Sequence, residues 1–180
     1  MIVTNVKQLR VPCKDVSQEQ VKEIISKLEA ELTQHKNGIG LSANQIGIDA
    51  KVAIIRIPNK EKLDLVNPKI VEHNGEIVFY KEGCLSLPDQ KKEITTQRYE
   101  QITIENGFDR AKYVLCGMEA IVAQHEIGHL EGRLMLDEKA QPYQRPERKI
   151  GRNEKCKVCS MKYKKHTNSN HGFVPKGEID

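Results

Sequence analysis

Nothing in these 180 residues approaches the run of about 18 apolar residues that a membrane span requires. Mean hydropathy is −0.59, so a membrane partner is not expected. The first ten residues lack the basic start and apolar stretch of a secretory leader, and the expected location is the cytoplasm. There is no even set of cysteines to build a disulfide framework. The five are Cys13, Cys84, Cys116, Cys156 and Cys159, and an odd count in a reducing compartment points to metal or catalytic roles. No internal repeat divides the chain. No phosphate loop is present either, because Gly38-Ile39-Gly40-Leu41-Ser42-Ala43-Asn44-Gln45 lacks a Gly-Lys-Ser/Thr ending and a preceding strand.

What is present divides unevenly. Residues 141–180 hold ten Lys/Arg and four Asp/Glu, a net of +6, while the rest of the chain nets −2. A basic appendage on a near-neutral body suits an anionic partner. Gln141 to Pro146, with two prolines and no apolar period, reads as a linker. The expected division is a catalytic domain over 1–140, a linker over 141–150 and a basic Cys/His tail over 151–180.

The body reads as α+β. Ser17-Gln18-Glu19-Gln20 forms a capping box, and Val21, Ile24, Ile25, Leu28 and Leu32 follow at helical spacing. This predicts a helix from about Gln18 to Lys36. Short strands are expected at 52–57, 63–66, 70–72, 77–80, 92–96, 101–105 and 112–115. Hairpins are expected at Asn74-Gly75 and Asn106-Gly107. Strands meandering between helices imply mostly antiparallel sheets, here packed around a central helix.

That helix carries the chemistry. In Gln124-His125-Glu126-Ile127-Gly128-His129 two imidazoles stand four residues apart on one face. Met118, Ile121, Val122 and His125 continue the pattern upstream, with Gly117 before and Gly132 after. The spacing lets both rings reach one divalent ion and brings the Glu126 carboxylate over it as a base toward water. A third ligand is still needed. Met135 occupies the place of a third His six residues on. Glu147 or Glu154 remains open by counting, but Cys84 in Glu82-Gly83-Cys84-Leu85-Ser86 is the better candidate. A thiolate with two imidazoles suits zinc or Fe(II).

These three stretches together resemble the peptide deformylase family, whose ordered motifs are G-φ-G-φ-A-A-x-Q, E-G-C-φ-S and Q-H-E-φ-D-H. The resemblance spans about residues 1–140. The chain departs from it at Ser42, where the family has alanine, and at Gly128, where it has aspartate. The resemblance implies removal of the N-formyl group from N-formylmethionyl peptides. It further implies a metal held by Cys84, His125 and His129, commonly Fe(II), with zinc, nickel or cobalt also accommodated. Glu126 would be the general base, and Gln45 with the Leu85 backbone N–H the oxyanion hole. Gly40 would bind the substrate backbone, and Ile39, Met118, Ile121 and Val122 would line the methionine pocket. Since an outer residue can tune a metal site, Gly128 implies altered activity with metal binding retained.

In the tail, Cys156-Lys157-Val158-Cys159 followed by His166 and His171 offers four ligands for a structural zinc. Its Gly-Arg-Asn start and Lys-Tyr-Lys-Lys run resemble the SEC-C zinc-binding motif, although that motif has Cys-x-Cys. The charge, together with the formylated substrate that the resemblance implies, suggests contact with the RNA-rich exit region of the ribosome. Two other functions fit parts of the pattern: a zinc endopeptidase using a tail glutamate, and a non-catalytic ribosome-binding adaptor.

Overall fold

In the computed structural model the described residues are 1–88 and 94–140, with the backbone of 173–175. A short helix α1 (Val6–Leu9) is capped by Asn5, whose side chain accepts from the N–H groups of Lys7 and Gln8. Helix α2 (Gln18–Leu32) starts at the expected capping box, the Gln20 side chain accepting from the Ser17 N–H at 3.2 Å. It stops at Leu32, short of the expected Lys36. Thr33 turns its hydroxyl back onto the Ala30 carbonyl at 3.0 Å, and apolar periodicity ends there.

Three short strands, β1 (Gly40–Ser42), β2 (Val52–Ile55) and β3 (Leu63–Val66), form one antiparallel sheet in that order. Every residue of β2 is buried. The reason is that the strand is covered on both faces. Val52 and Ile54 pack with Leu28 and Leu32 of α2, while Ala53 and Ile55 pack with Ala123 and Ile127 of the metal-motif helix, α3 (Met118–Leu130).

The second sheet runs β6-β5-β4-β7, all antiparallel. Its members are β4 (Lys69–Glu82), β5 (Ile94–Asn106), β6 (Ala111–Cys116) and β7 (Phe173–Pro175). Here two expectations are corrected. Asn74-Gly75 is not a hairpin, because β4 runs straight through it and keeps β5 as its partner on both sides, Asn74 opposite Gln101 and Glu76 opposite Tyr99. Gly75 has a left-handed φ of 67°, which a glycine adopts readily, and the pairing keeps its register across it. Likewise the expected strands at 92–96 and 101–105 are one strand, β5, with buried residues alternating along most of its length. The hairpin at Asn106-Gly107 is present, closing β5 onto β6 with Asn106 opposite Ala111.

Helix α3 is bounded by Gly117 and Gly132 as expected. It lies against both sheets, and nearly its whole length is buried. The packing places the ends of β1 and β4 beside one face of α3. Among the described residues no helix is long and apolar enough to cross a membrane.

Candidate metal centre

Two elements supply the centre. Helix α3 presents His125 and His129 one turn apart, their rings edge-on with centroids 4.9 Å apart. The loop after β4 delivers Cys84. One ligand atom from each of the three lies within 4.8 Å of the others, and the Cys84 Sγ is 3.1 Å from His129 Nε2. Two imidazoles and a thiol gathered this closely form a donor set for a soft or borderline divalent ion.

The ring of His125 is oriented from behind. Its Nδ1 lies 2.6 Å from Glu82 Oε1, leaving Nε2 toward the cluster. Glu82 is held in turn by Arg98, through Nε to Oε2 at 2.9 Å and Nη2 to Oε1 at 2.5 Å, and by the Thr96 hydroxyl. Glu82, Thr96 and Arg98 are all buried. Burial would raise the Glu82 carboxyl pKa, but hydrogen bonds from His125 and Arg98 outweigh it and hold the group well below the usual carboxylate range. The two histidines are driven in opposite directions. Burial pulls both down, yet contacts to Cys84 and Glu82 carry His125 well above its ordinary value. His129 stays well below, because burial and the charge of His125 both act against its protonation. A neutral imidazole is the metal-binding form.

Glu126 is 3% exposed. Burial pushes its carboxyl pKa up to about 7, against the opposing influence of His125 and Ser42. Its Oε2 is buried without a protein partner, which fits a base whose partner is water. Gly40 of β1 lies directly against it. A Cβ there would sit 2.5 Å from Glu126 Oε1 and 2.7 Å from Val122 Cγ1.

Gln45, 2% exposed, sits on the short 3₁₀ turn Ala43–Ile46 that follows β1. Its amide oxygen accepts from the Ser42 N–H at 2.9 Å and the Ser42 hydroxyl at 2.8 Å. Its amide nitrogen faces Ser86 Oγ at 3.1 Å and Cys84 Sγ at 3.6 Å. Leu85, half-buried, packs toward the α2 cluster.

A profile described as Polypeptide deformylase matches residues 1–145. The chain belongs to the peptide deformylase family. It is 34% identical over 159 residues to a peptide deformylase of Helicobacter pylori, covering 76% of this chain and 89% of that one. Identity to the Aquifex aeolicus peptide deformylase is 38% over 132 residues, or 68% and 75% of the two chains. Among solved structures, peptide deformylase from Thermotoga maritima superposes with a TM-score of 0.68 at 30% identity, covering 78% of this chain and 97% of that one. The Arabidopsis thaliana deformylase 1B, solved with an inhibitor, gives 0.68 at 27%, covering 78% and 81%.

Of the residues expected to bind substrate, Ile39, Met118, Ile121 and Val122 are packed in the hydrophobic clusters of the body. Ile121 joins Ile77 and Phe79 in a small cluster with Met118 at its edge. Val122 and Ile39 belong to the larger core cluster. Sequence reading missed Arg98, Thr96 and Ser86. The hint for Arg98 was its place on the inward face of β5, where a lone charge needs a buried partner. Cys156, Cys159, His166 and His171, with Glu147 and Glu154, lie outside the described residues.

Proposed function

We propose that this chain hydrolyses the formamide of N-formylmethionyl peptides, with Cys84, His125 and His129 holding one divalent ion. The observation that carries the proposal is the convergence of those three donors beside a buried, half-unpartnered Glu126. When bound, the ion supplies Lewis acidity, lowering a water's pKa from about 15.7 toward roughly 7 and polarising the formyl oxygen. Glu126 takes the proton of the attacking water and hands it to the departing amine. The Gln45 Nε2 donor, with the Leu85 N–H, stabilises the negative charge that develops on the formyl oxygen. Gly40 leaves its backbone open to the substrate chain. Ile39, Met118, Ile121 and Val122 receive the methionine side chain. Glu82, fixed by Arg98, keeps the His125 ring turned toward the ion.

Fe(II) is the native ion in this reading, as the family resemblance implies; zinc, nickel or cobalt can replace it. The catalytic domain is 1–140, followed by a linker over 141–150. The tail over 151–180 binds a structural zinc through Cys156, Cys159, His166 and His171, and the +6 charge of residues 141–180 docks the enzyme on ribosomal RNA in the cytoplasm. Salt-insensitive pelleting with ribosomes, or equal pelleting by a chain ending at Lys139, would overturn the docking.

Formate release from a formyl-Met peptide tests the activity, and it also separates an enzyme from an adaptor. Cys84→Ala separates a deformylase, which loses its ion, from an endopeptidase ligated by a tail glutamate, which does not.

A further inference from the structure

Gln45 carries a side-chain amide whose two ends differ only by which atom is oxygen and which is nitrogen. For the nitrogen to face the reacting carbonyl, the oxygen must be held elsewhere. One residue does this. Ser42 gives Gln45 Oε1 two donors, its backbone N–H at 2.9 Å and its hydroxyl at 2.8 Å. Reversing the amide would set NH₂ against that N–H and turn a carbonyl oxygen toward the Cys84 sulfur. The same hydroxyl lies 2.9 Å from Asn44 Oδ1, and Asn44 Nδ2 donates to the His129 backbone carbonyl at 2.7 Å. Ser42 is fully buried, and Asn44 and Gln45 nearly so, so no solvent substitutes for these contacts. The hydroxyl carries one proton, so it donates to Gln45 Oε1 or to Asn44 Oδ1 and not to both at once, while the Ser42 N–H stays on Gln45 Oε1 in either case.

We propose that the Ser42 hydroxyl is a positioning group for the reaction, fixing the Gln45 amide with its N–H toward the metal centre. The idea rests on Gln45 acting as the oxyanion donor. The family motif that the sequence resembles carries alanine at the position of Ser42. An alanine there leaves the backbone N–H on Gln45 Oε1, so one of two anchors is lost and not the donor itself. The effect is therefore smaller than the roughly 10²–10³-fold loss of a whole oxyanion donor, and about tenfold is expected.

The hydroxyl also lies within hydrogen-bonding reach of Glu126, so the test must separate the two routes. Formate release is measured for the intact enzyme, Ser42→Ala, Gln45→Ala and the double variant, each with bound metal and melting temperature recorded. Ser42→Ala should lower kcat about tenfold at unchanged KM, metal content and melting temperature. In the Gln45→Ala background the same change should have no further effect. If Ser42→Ala costs the same with and without Gln45, Ser42 does not act through the amide and the proposal is overturned. A Gln45→Ala variant with unaltered kcat overturns the oxyanion reading itself. A Ser42→Ala variant with unaltered kcat, beside an impaired Gln45→Ala, overturns only the role of Ser42.

Discussion

Glu82 Oε1 lies 2.6 Å from His125 Nδ1, and the same carboxylate is gripped by the Arg98 guanidinium through two hydrogen bonds. A ligand ring, its carboxylate and the cation behind it form one buried unit. Removing the outermost member strands charge. Arg98→Met is expected to destabilise the fold by about 3–5 kcal/mol, the usual cost of breaking a buried pair from one side. Glu82→Gln keeps the volume but weakens the acceptor for His125, and should lower metal affinity about 10–100-fold. Thermal melts read the first, and chelator competition the second.

Gly40→Ala tests how closely β1 approaches the base. The added methyl would lie 2.5 Å from Glu126 Oε1, so the carboxylate must move. Misplacement of this order costs about 10²-fold in rate. Steady-state kinetics should show kcat falling by that factor while bound metal, by elemental analysis, stays at its normal level.

The raised pKa of Glu126 predicts a pH-dependent stability in the metal-free protein. Unfolded, the group ionises near 4.5; folded, it keeps its proton to about 7. Its contribution to stability is therefore complete below pH 4.5 and is lost as pH rises through 7. Above that, the buried charge costs about 3 kcal/mol. Denaturant titrations of the metal-free protein and of Glu126→Gln should show the variant gaining on the parent by roughly that amount between pH 5 and pH 8.

Gly128 stands inside α3, where a Cβ would meet only the Arg133 carbonyl oxygen at an ordinary 3.7 Å. The glycine has no packing reason. Gly128→Ala should stabilise the protein by about 1 kcal/mol through helix propensity, raising the melting temperature by a few degrees. Calorimetry on parent and variant checks this.

Local rules read much of this fold correctly. The Ser17–Gln20 capping box, the Asn106-Gly107 hairpin and the spacing of His125 and His129 each need only a few neighbouring residues. They were legible because their cause is local. Asn74-Gly75 was misread because its outcome depends on β5, a partner about 25 residues away that pairs on both sides of it. The end of α2 was overrun because the expectation ran on to Lys36, past Leu32, the last apolar residue at helical spacing. Cys84 could be nominated for its chemistry, but its approach to α3 is made by sheet packing. Arg98 and Thr96 were invisible for the same reason: their role exists only once β5 lies beside the end of β4.

The central claim is that the Cys84 sulfur and the two imidazoles hold one ion that formyl hydrolysis requires. Anaerobic metal analysis paired with a formate assay on a formyl-Met peptide tests it on the parent chain and on Cys84→Ala. One ion per chain at this centre and formate released in step with free amine are predicted for the parent, with both lost in the variant. A fully loaded parent that releases no formate, or a Cys84→Ala chain that keeps its catalytic ion, would contradict the account.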